Sequence, residues 1–450
     1  MTTTDPTETA DPTATAGRPG SRLPALVAPF RSPAYRRLAV ALVLSLLAQG
    51  MWALALVWQV IGMGGGPLEL SIVSTASAVG MLLPGLVGGV AADRIPQKRI
   101  LLAVGAIEAT GMGFVAVVDA LGRGSVPLLA AVAFALGVAM AFYYPAYSAW
   151  LPALVPEEDL LAVNGFEGMA RPSIAQALGP AVAGAVIAAG SPAWAVTLAA
   201  VSSALGLLAL LRVPETPLRH RPNGAGTDGD RRRVLPSALG SAWHDVAEGF
   251  AYMVRTPWFL WTLLFACLMV LLTMGPLEVL MPFVFRDRLE AGPREHSWML
   301  AAFGIGAALA SLGVGSIRMP RRYLTAMVLG WGVAGLPFVV IAFADRVWIV
   351  IAAGLLLGAM YAAPGVIWGT LLQRRVPPAL LGRAASLDFF VSMALLPVSM
   401  ALAGPAAQLF GLTPTLIVAG AVPLALAVLT LFLGRMPRDE IDHPLRPAND

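Results

Sequence analysis

Twelve apolar runs, most of about twenty residues or more, dominate this chain. They fall at approximately residues 38–61, 70–92, 100–119, 126–149, 164–189, 193–212, 258–284, 297–316, 323–343, 347–371, 385–411 and 413–433. Wound as an α-helix, a run of that length spans the roughly 30 Å hydrocarbon core of a bilayer. Lipid offers the backbone no hydrogen-bond partners, so long unbroken runs there must be helices that satisfy their own N–H and C=O groups. The expected fold class is an all-α integral membrane protein with twelve transmembrane helices. Composition agrees: with 58% hydrophobic and 12% charged residues and a mean hydropathy of +0.76, the 450 residues carry more apolar surface than a water-soluble core can hide.

Several function classes fall away on the same grounds. Residues 1–20 are rich in Thr, Asp, Pro and Gly and lack the apolar core of a secretory signal, so they read as a disordered cytoplasmic tail. Cys267 is the single cysteine, which leaves no intramolecular disulfide and no cysteine metal site. His220, His244, His296 and His443 are expected in loops or tails, too scattered for a metal cluster. No cofactor, no metal and no enzymatic chemistry are expected. The net charge of +4 invites a nucleic-acid reading, but its placement points elsewhere. Arg31, Arg36 and Arg37, then Arg94, Lys98 and Arg99, Arg231 to Arg233, Arg318, Arg321 and Arg322, and Arg374, Arg375 and Arg383 all lie in tails or even-numbered loops. The positive-inside rule then makes both termini cytoplasmic. The expected setting is a bacterial inner (plasma) membrane, with no nucleic-acid partner.

The runs divide six and six. Residues 213–256, with Pro, Gly and charge after the sixth run, read as a cytoplasmic linker. Its second part spaces Val246, Phe250 and Met253 at helical intervals, the pattern of a surface helix at the inner leaflet. The domain reading is a tail over 1–30, a six-helix bundle over 31–212, the linker over 213–256, a second bundle over 257–434 and a cytoplasmic tail over 435–450. The bundles echo each other: Leu136-Gly137 and Val155-Pro156 recur 221 residues later as Leu357-Gly358 and Val376-Pro377, and Gly179-Pro180 recurs as Gly404-Pro405. That ordered series is what two parallel six-helix repeats leave behind.

Gly89-Val-Ala-Ala-Asp93-Arg94-Ile-Pro-Gln-Lys98-Arg99 resembles the loop between the second and third helices of the major facilitator superfamily, with Pro96 and Gln97 departing from the usual pattern. The resemblance implies a solute site between the two halves, exposed alternately to each side of the membrane. It also implies that Asp93 ties the second helix to the start of the eleventh, and that the first, fourth, seventh and tenth helices line the cavity. Gly179, Pro180 and Gly184 resemble the end of the antiporter motif of drug exporters, although Phe166 and Ala175 depart from it; a kink used for close packing is the other reading. Val155-Pro-Glu-Glu-Asp-Leu, Gly249-Phe-Ala-Tyr-Met-Val-Arg-Thr-Pro257, Leu277-Glu-Val-Leu-Met-Pro282 and Pro377-Pro-Ala-Leu-Leu-Gly-Arg383 are similar to the macrolide-efflux and enterobactin-exporter group of drug and proton antiporters. That group often carries an aspartate in the first span, where this chain has Gln49.

Ionisable side chains inside the bilayer cost roughly 2.5–3.5 kcal/mol each on insertion scales and call for a reason. Glu278, on a helix that lines the cavity in the resembled fold and beside Gly275 and Pro276, is the first candidate for proton coupling, because desolvation favours the neutral form of a carboxyl; an interfacial glutamate is the alternative. Glu108 is the second, on a peripheral helix where a neutral glutamate bonded to a neighbour is equally expected. Glu167 and Asp388 are 221 apart and read either as solvated helix-start acids or, with Arg171, as a cytoplasmic gate. In the resembled fold the gate would set Asp388 near Asp93 and Arg94, and Glu167 near Arg318 and Arg321. Gln49, Trp52, Gln59, Tyr143, Tyr144, Tyr147, Tyr361 and Trp368 are candidates for a cavity wall suited to amphiphilic rings, with interfacial anchoring as the alternative for tryptophan and tyrosine. Trp150, Trp258 and Trp348 are expected to be such anchors. The reading is a monomeric secondary transporter, a proton-coupled antiporter whose partners are protons, membrane lipid and a small amphiphilic substrate, with siderophore or natural-product export as the alternative and a lipid flippase or nutrient symporter more distant.

Overall fold

The computed structural model describes residues 29–85, 91, 94–156, 159–216, 249–377 and 380–445. Gly89, Asp93, His220, His244, Arg231 to Arg233 and most of the expected linker lie outside them. The described chain folds into α1 (Pro33–Gly62), α2 (Pro67–Leu82), α3 (Gln97–Ala120), α4 (Val126–Leu154), α5 (Leu160–Ala170 running on through Arg171–Leu178 and Gly179–Ala189) and α6 (Pro192–Leu211). After the linker come α7 (Pro257–Arg288), α8 (Pro293–Ser316), α9 (Tyr323–Phe343), α10 (Val347–Arg375), α11 (Leu381–Phe410), α12 (Leu412–Leu433) and a short α13 (Met436–Asp442). Eleven of these are long and apolar enough to cross a bilayer, and α2 is a shorter apolar helix in the twelfth place. The end of the bundle where α1 begins and α12 finishes is called here the terminal end, and the opposite one the far end.

Proline shapes four of the spans. Pro172 and Pro180 each remove an N–H from α5, and the turns between them widen to a π-helix over Arg171–Leu178. Pro276 opens a second π-helix, Pro276–Leu280, in the middle of α7. Breaks before Leu336-Pro337 in α9 and Leu396-Pro397 in α11 follow the same logic.

Apolar side chains gain nothing by leaving lipid for a neighbouring helix, so close backbone approach holds such bundles together. In the first half α1 packs on α5 and α6, α2 on α4, and α3 on α4 and α6. In the second half α8 packs on α10, α9 on α10 and α12, and α7 on α11 and α12. The repeat is visible at atomic level: Gly80 and Gly137 lock α2 to α4 backbone against backbone, and their equivalents Gly306 and Gly358 lock α8 to α10. A longer repeat than the sequence reading found opens α2 and α8. Gly66-Pro67-x-Glu69-x-Ser71 recurs as Gly292-Pro293-x-Glu295-x-Ser297, and in both the glutamate accepts from the glycine N–H, at 2.8 and 2.9 Å.

The halves meet along α2–α11 and α5–α8, the pairing implied by the resemblance. Their union is uneven. One apolar cluster at the far end joins both halves, bringing Met51, Ala55, Val73 and Ala183 together with Val279, Leu280, Phe283, Met400 and Ala403. Toward the terminal end each half keeps its own cluster, one around Tyr35, Tyr147 and Trp150, the other around Phe259, Leu263 and Tyr323.

Some placements differ from expectation. His296 sits in the first turn of α8 and is buried, not in a loop, because α8 starts four residues earlier than its apolar run. Trp150 and Trp258 are buried in their bundles instead of anchoring an interface, Trp150 donating to Thr216 Oγ1 at 2.7 Å and Trp258 lying beneath Arg375 at 4.6 Å. Residues 436–442 are helical, and Glu440 of α13 accepts from the Leu324 and Thr325 N–H groups at 3.0 and 3.2 Å and from Thr325 Oγ1 at 2.7 Å. These are otherwise unsatisfied donors at the start of α9, and the carboxylate complements the helix dipole. Glu440→Ala is expected to cost about 1–2 kcal/mol of stability, read as a lowered midpoint in thermal unfolding in detergent, with Glu440→Gln recovering part of it.

Candidate substrate and proton site

Glu278 lies in the π-helical turn of α7, a break that the Gly275-Pro276 pair makes. Its side chain is exposed, whereas its neighbours Leu277, Val279 and Leu280 are buried. It makes no hydrogen bond or ion pair among the described residues. The turn is held from within its own half: Gly275 N–H donates to Ser399 Oγ at 2.7 Å across the α7–α11 contact.

Glu108 is placed differently. At 4% exposure it is shut inside the first half, where Ser45 Oγ donates to it at 3.2 Å and Gln49 Nε2 at 3.1 Å, with Gln49 also donating to Ser45 at 3.2 Å. A cavity of about 30 Å³ borders the group, lined on its polar side by Ser45, Glu108, Tyr143, Tyr147 and Ser203. That is room for about two waters. Gln49 and Gln59, expected on the cavity wall, are turned to acids of α3, since Gln59 Nε2 donates to Asp119.

The other predicted wall residues divide as well. Trp52 is buried in the apolar cluster that joins the halves and Tyr147 within the first half, and Tyr143 stacks on Tyr147 with centroids 5.7 Å apart. Tyr144 is 58% exposed, with the Arg171 guanidinium 5.3 Å from its ring centre. In the second half Tyr361 packs near Phe303, and Trp368 stacks on Phe259 at 5.8 Å.

Near the terminal end, Glu167 pairs with Arg171 on its own helix at 4.0 Å. Asp388 accepts from Trp368 Nε1 at 2.9 Å and from Ser392 Oγ at 3.1 Å. Arg94 and Arg318 are exposed, and the partners described for the two acids lie within their own halves. Lys98 donates to the Leu211 carbonyl at 3.2 Å, and Arg37 to that of Arg212 at 2.9 Å; both satisfy the C-terminal carbonyls of α6. Arg99 is exposed.

At the far end the halves are stitched by polar contacts. Gly404 N–H donates to Ser71 Oγ at 2.8 Å, Trp58 Nε1 to His296 Nδ1 at 3.3 Å and Arg286 Nη1 to the Gly65 carbonyl at 3.5 Å. Gly404 presses on the Pro67 carbonyl and Ser71, and Gly184 on Ser297 and the Pro293 carbonyl. Gly404, from the second-half Gly-Pro pair, and Gly184, at the end of the stretch that resembled an antiporter motif, thus form two clamps, α11 on α2 and α5 on α8, whereas Gly179 packs on Gly50 of α1. Sequence reasoning missed the serines, although their shared Gly-Pro-x-Glu-x-Ser context was readable.

Two six-helix halves clamped at one end define a membrane transporter of the major facilitator fold. Solved structures of that fold agree: a nucleoside transporter, NupG, matches with a TM-score of 0.64 at 13% identity, covering 91% of this chain and all of that one. A peptide transporter of the POT type matches with a TM-score of 0.66 at 15% identity, covering 90% of this chain and 96% of its own. The chain belongs to the transmembrane secretion effector family of that superfamily, whose model matches residues 25–448. Among curated relatives, the multidrug efflux pump Tap of Mycolicibacterium fortuitum is 29% identical over 412 residues, 88% of this chain and 94% of the pump. The Tap pump of Mycobacterium tuberculosis is 28% identical over 438 residues, covering 93% and 99%. The enterobactin exporter EntS of Escherichia coli O1:K1 is 28% identical over 360 residues, covering 78% and 80%. These relatives are transporters, not enzymes.

Proposed function

We propose that this protein exports small amphiphilic compounds from a bacterial cell in exchange for protons, by alternating access. The observation that carries the reading is Glu278, a carboxyl exposed on the π-helical turn of α7 with no hydrogen bond or ion pair among the described residues, which we take to face the space between the halves. An acid there is reached in turn by water from either side, and a substrate entering the same space competes with its proton. The match to two multidrug efflux pumps along nearly their whole length supports efflux of amphiphiles. The match to an enterobactin exporter favours a second reading, export of a self-made siderophore or similar natural product.

The excess of arginine at the terminal end makes that end cytoplasmic by the positive-inside rule. The conformation is then closed to the outside by the Ser71, Ser297 and His296 contacts and parted toward the cytoplasm, where each half has its own core. Asp388 and Glu167 stand at that end as candidates for a gate that forms once the outer side opens. An interaction biases the cycle only if it exists in one state and not the other. The reading is tested in cells accumulating ethidium, with and without a protonophore: the chain is expected to hold accumulation several-fold below the vector control until the protonophore is added. Equal accumulation in both strains for ethidium, and likewise for a labelled catecholate siderophore, would overturn it.

A further inference from the structure

We propose that His296 is a proton-operated latch on the far-end seal, an inference that rests on the proton-coupled reading above. Trp58 on α1 and His296 on α8 belong to different halves, and both are buried, at 8% and 3% exposure. Their bond has a fixed polarity. An indole N–H only donates, so His296 Nδ1 must accept and the imidazole must be neutral, with its proton on Nε2. A proton added at Nδ1 converts the acceptor into a second N–H, which faces the indole N–H and breaks the bond. The imidazole ring also packs on Phe285 of α7 at 5.4 Å, which offers no counter-charge.

Among the described residues, the charged groups named below on the elements around this point are engaged elsewhere. On α8, Glu295 holds the Gly292 N–H at 2.9 Å and Arg294 lies 5.0 Å over Trp298. At the end of α7, Arg286 lies 4.8 Å over Phe283 and bonds Asp287, while Arg288 donates to the Ile341 and Ala342 carbonyls. On α3, Asp119 is taken by Gln59, the neighbour of Trp58. From α5 the approach is made by Gly184, which brings no charge. An imidazolium would be buried there without a partner, so the sealed state and the protonated state exclude each other.

Linkage then fixes the sign. The opened far end exposes an ordinary imidazole, which titrates near pH 6.5. The proton binds the open form alone, so the seal is stable above that pH, and the open-to-sealed ratio rises up to about tenfold for each pH unit below it. With the far end outside the cell, an acidic exterior itself opens the outward gate and loads the transporter for its return.

The test is a distance. In a Cys267→Ser background, spin labels at Arg123→Cys and Asp345→Cys, both exposed far-end positions of opposite halves, are measured by pulsed dipolar EPR in detergent between pH 8 and pH 5, without substrate or gradient. The parent is expected to gain a longer-distance population below about pH 6.5. His296→Gln, whose side-chain oxygen accepts from Trp58 but does not titrate, is expected to stay short at every pH. Trp58→Phe, which leaves the histidine in place, is expected to show the long population already at pH 8. A parent with no pH response, an unaltered response in His296→Gln, or a parent-like response in Trp58→Phe would overturn the latch. Because the readout needs no transport, a failed export assay with an intact, histidine-dependent distance change would sink the export reading and leave the latch standing.

Discussion

Glu278→Gln reduces pH-gradient-driven transport to background while the protein stays folded and still binds substrate. In the proposed reading the group faces the space between the halves; it lies on the π-helical turn of α7 and has no partner among the described residues that its removal would strand. Glutamine keeps its size and polarity and removes only the titration. Glu108→Gln is expected to behave in the opposite way. That carboxylate receives donors from Ser45 and Gln49 inside the first half, and an amide substituted there sets donor against donor. The loss is about 1–3 kcal/mol of stability, seen as a lower unfolding midpoint, with gradient-driven transport retained in the folded fraction. If instead Glu108→Gln uncouples and Glu278→Gln transports normally, the proton site lies in the small cavity beside Tyr143.

Gly404→Ala traps the transporter away from its far-closed state. A methyl at this position would lie 2.6 Å from Ser71 Oγ and 2.7 Å from the Pro67 carbonyl carbon, and the latter is backbone that cannot rotate aside. Parting the halves at that end relieves the clash without unfolding either one. Overpacking of this kind costs about 1–3 kcal/mol, which converts to a shift of about five- to 150-fold in the state ratio. Gly184→Ala meets Ser297 and the Pro293 carbonyl in the equivalent place and is expected to act in the same direction. Gly113→Ala, which has open space around the new methyl, serves as the control. The measurement is the rate at which a thiol reagent labels a reporter cysteine at Tyr144 in the Cys267→Ser background: it is expected to fall in both clamp variants and not in the control. Unchanged labelling in Gly404→Ala would show that the clamp does not set the balance.

The membrane fold was legible because nearly every span is long, apolar and cut off by charge or proline, and because the repeats survive as Leu-Gly and Gly-Pro pairs at offsets of 221 and 225 residues. Interior contacts were less legible. Gln49 and Gln59 look like cavity residues in one dimension, but the rotation of α1 turns both toward α3, and helical periodicity in an almost uniformly apolar span does not report that rotation. His296 escaped notice because α8 begins ahead of its apolar run, so a histidine among Arg, Glu and Ser read as loop. Trp150 and Trp258 were placed by their closeness to span ends, whereas Thr216 and Arg375 give each a partner that only the folded chain supplies. The offset of 221 residues links Glu167 to Asp388, but it does not report their partners, Arg171 for the one and Trp368 and Ser392 for the other, which only the folded chain supplies.

Everted membrane vesicles carrying the protein test the central claim most directly, because their outer face is the former cytoplasmic side and their lumen can be acidified. Exchange of protons for an amphiphile predicts that ethidium accumulates in the lumen of vesicles given an acid-inside gradient, that nigericin abolishes the accumulation, and that each uptake pulse alkalinises the lumen in wild-type vesicles but not in Glu278→Gln vesicles. Accumulation that persists after the gradient is collapsed, or that appears only with the gradient reversed, would contradict proton-coupled export.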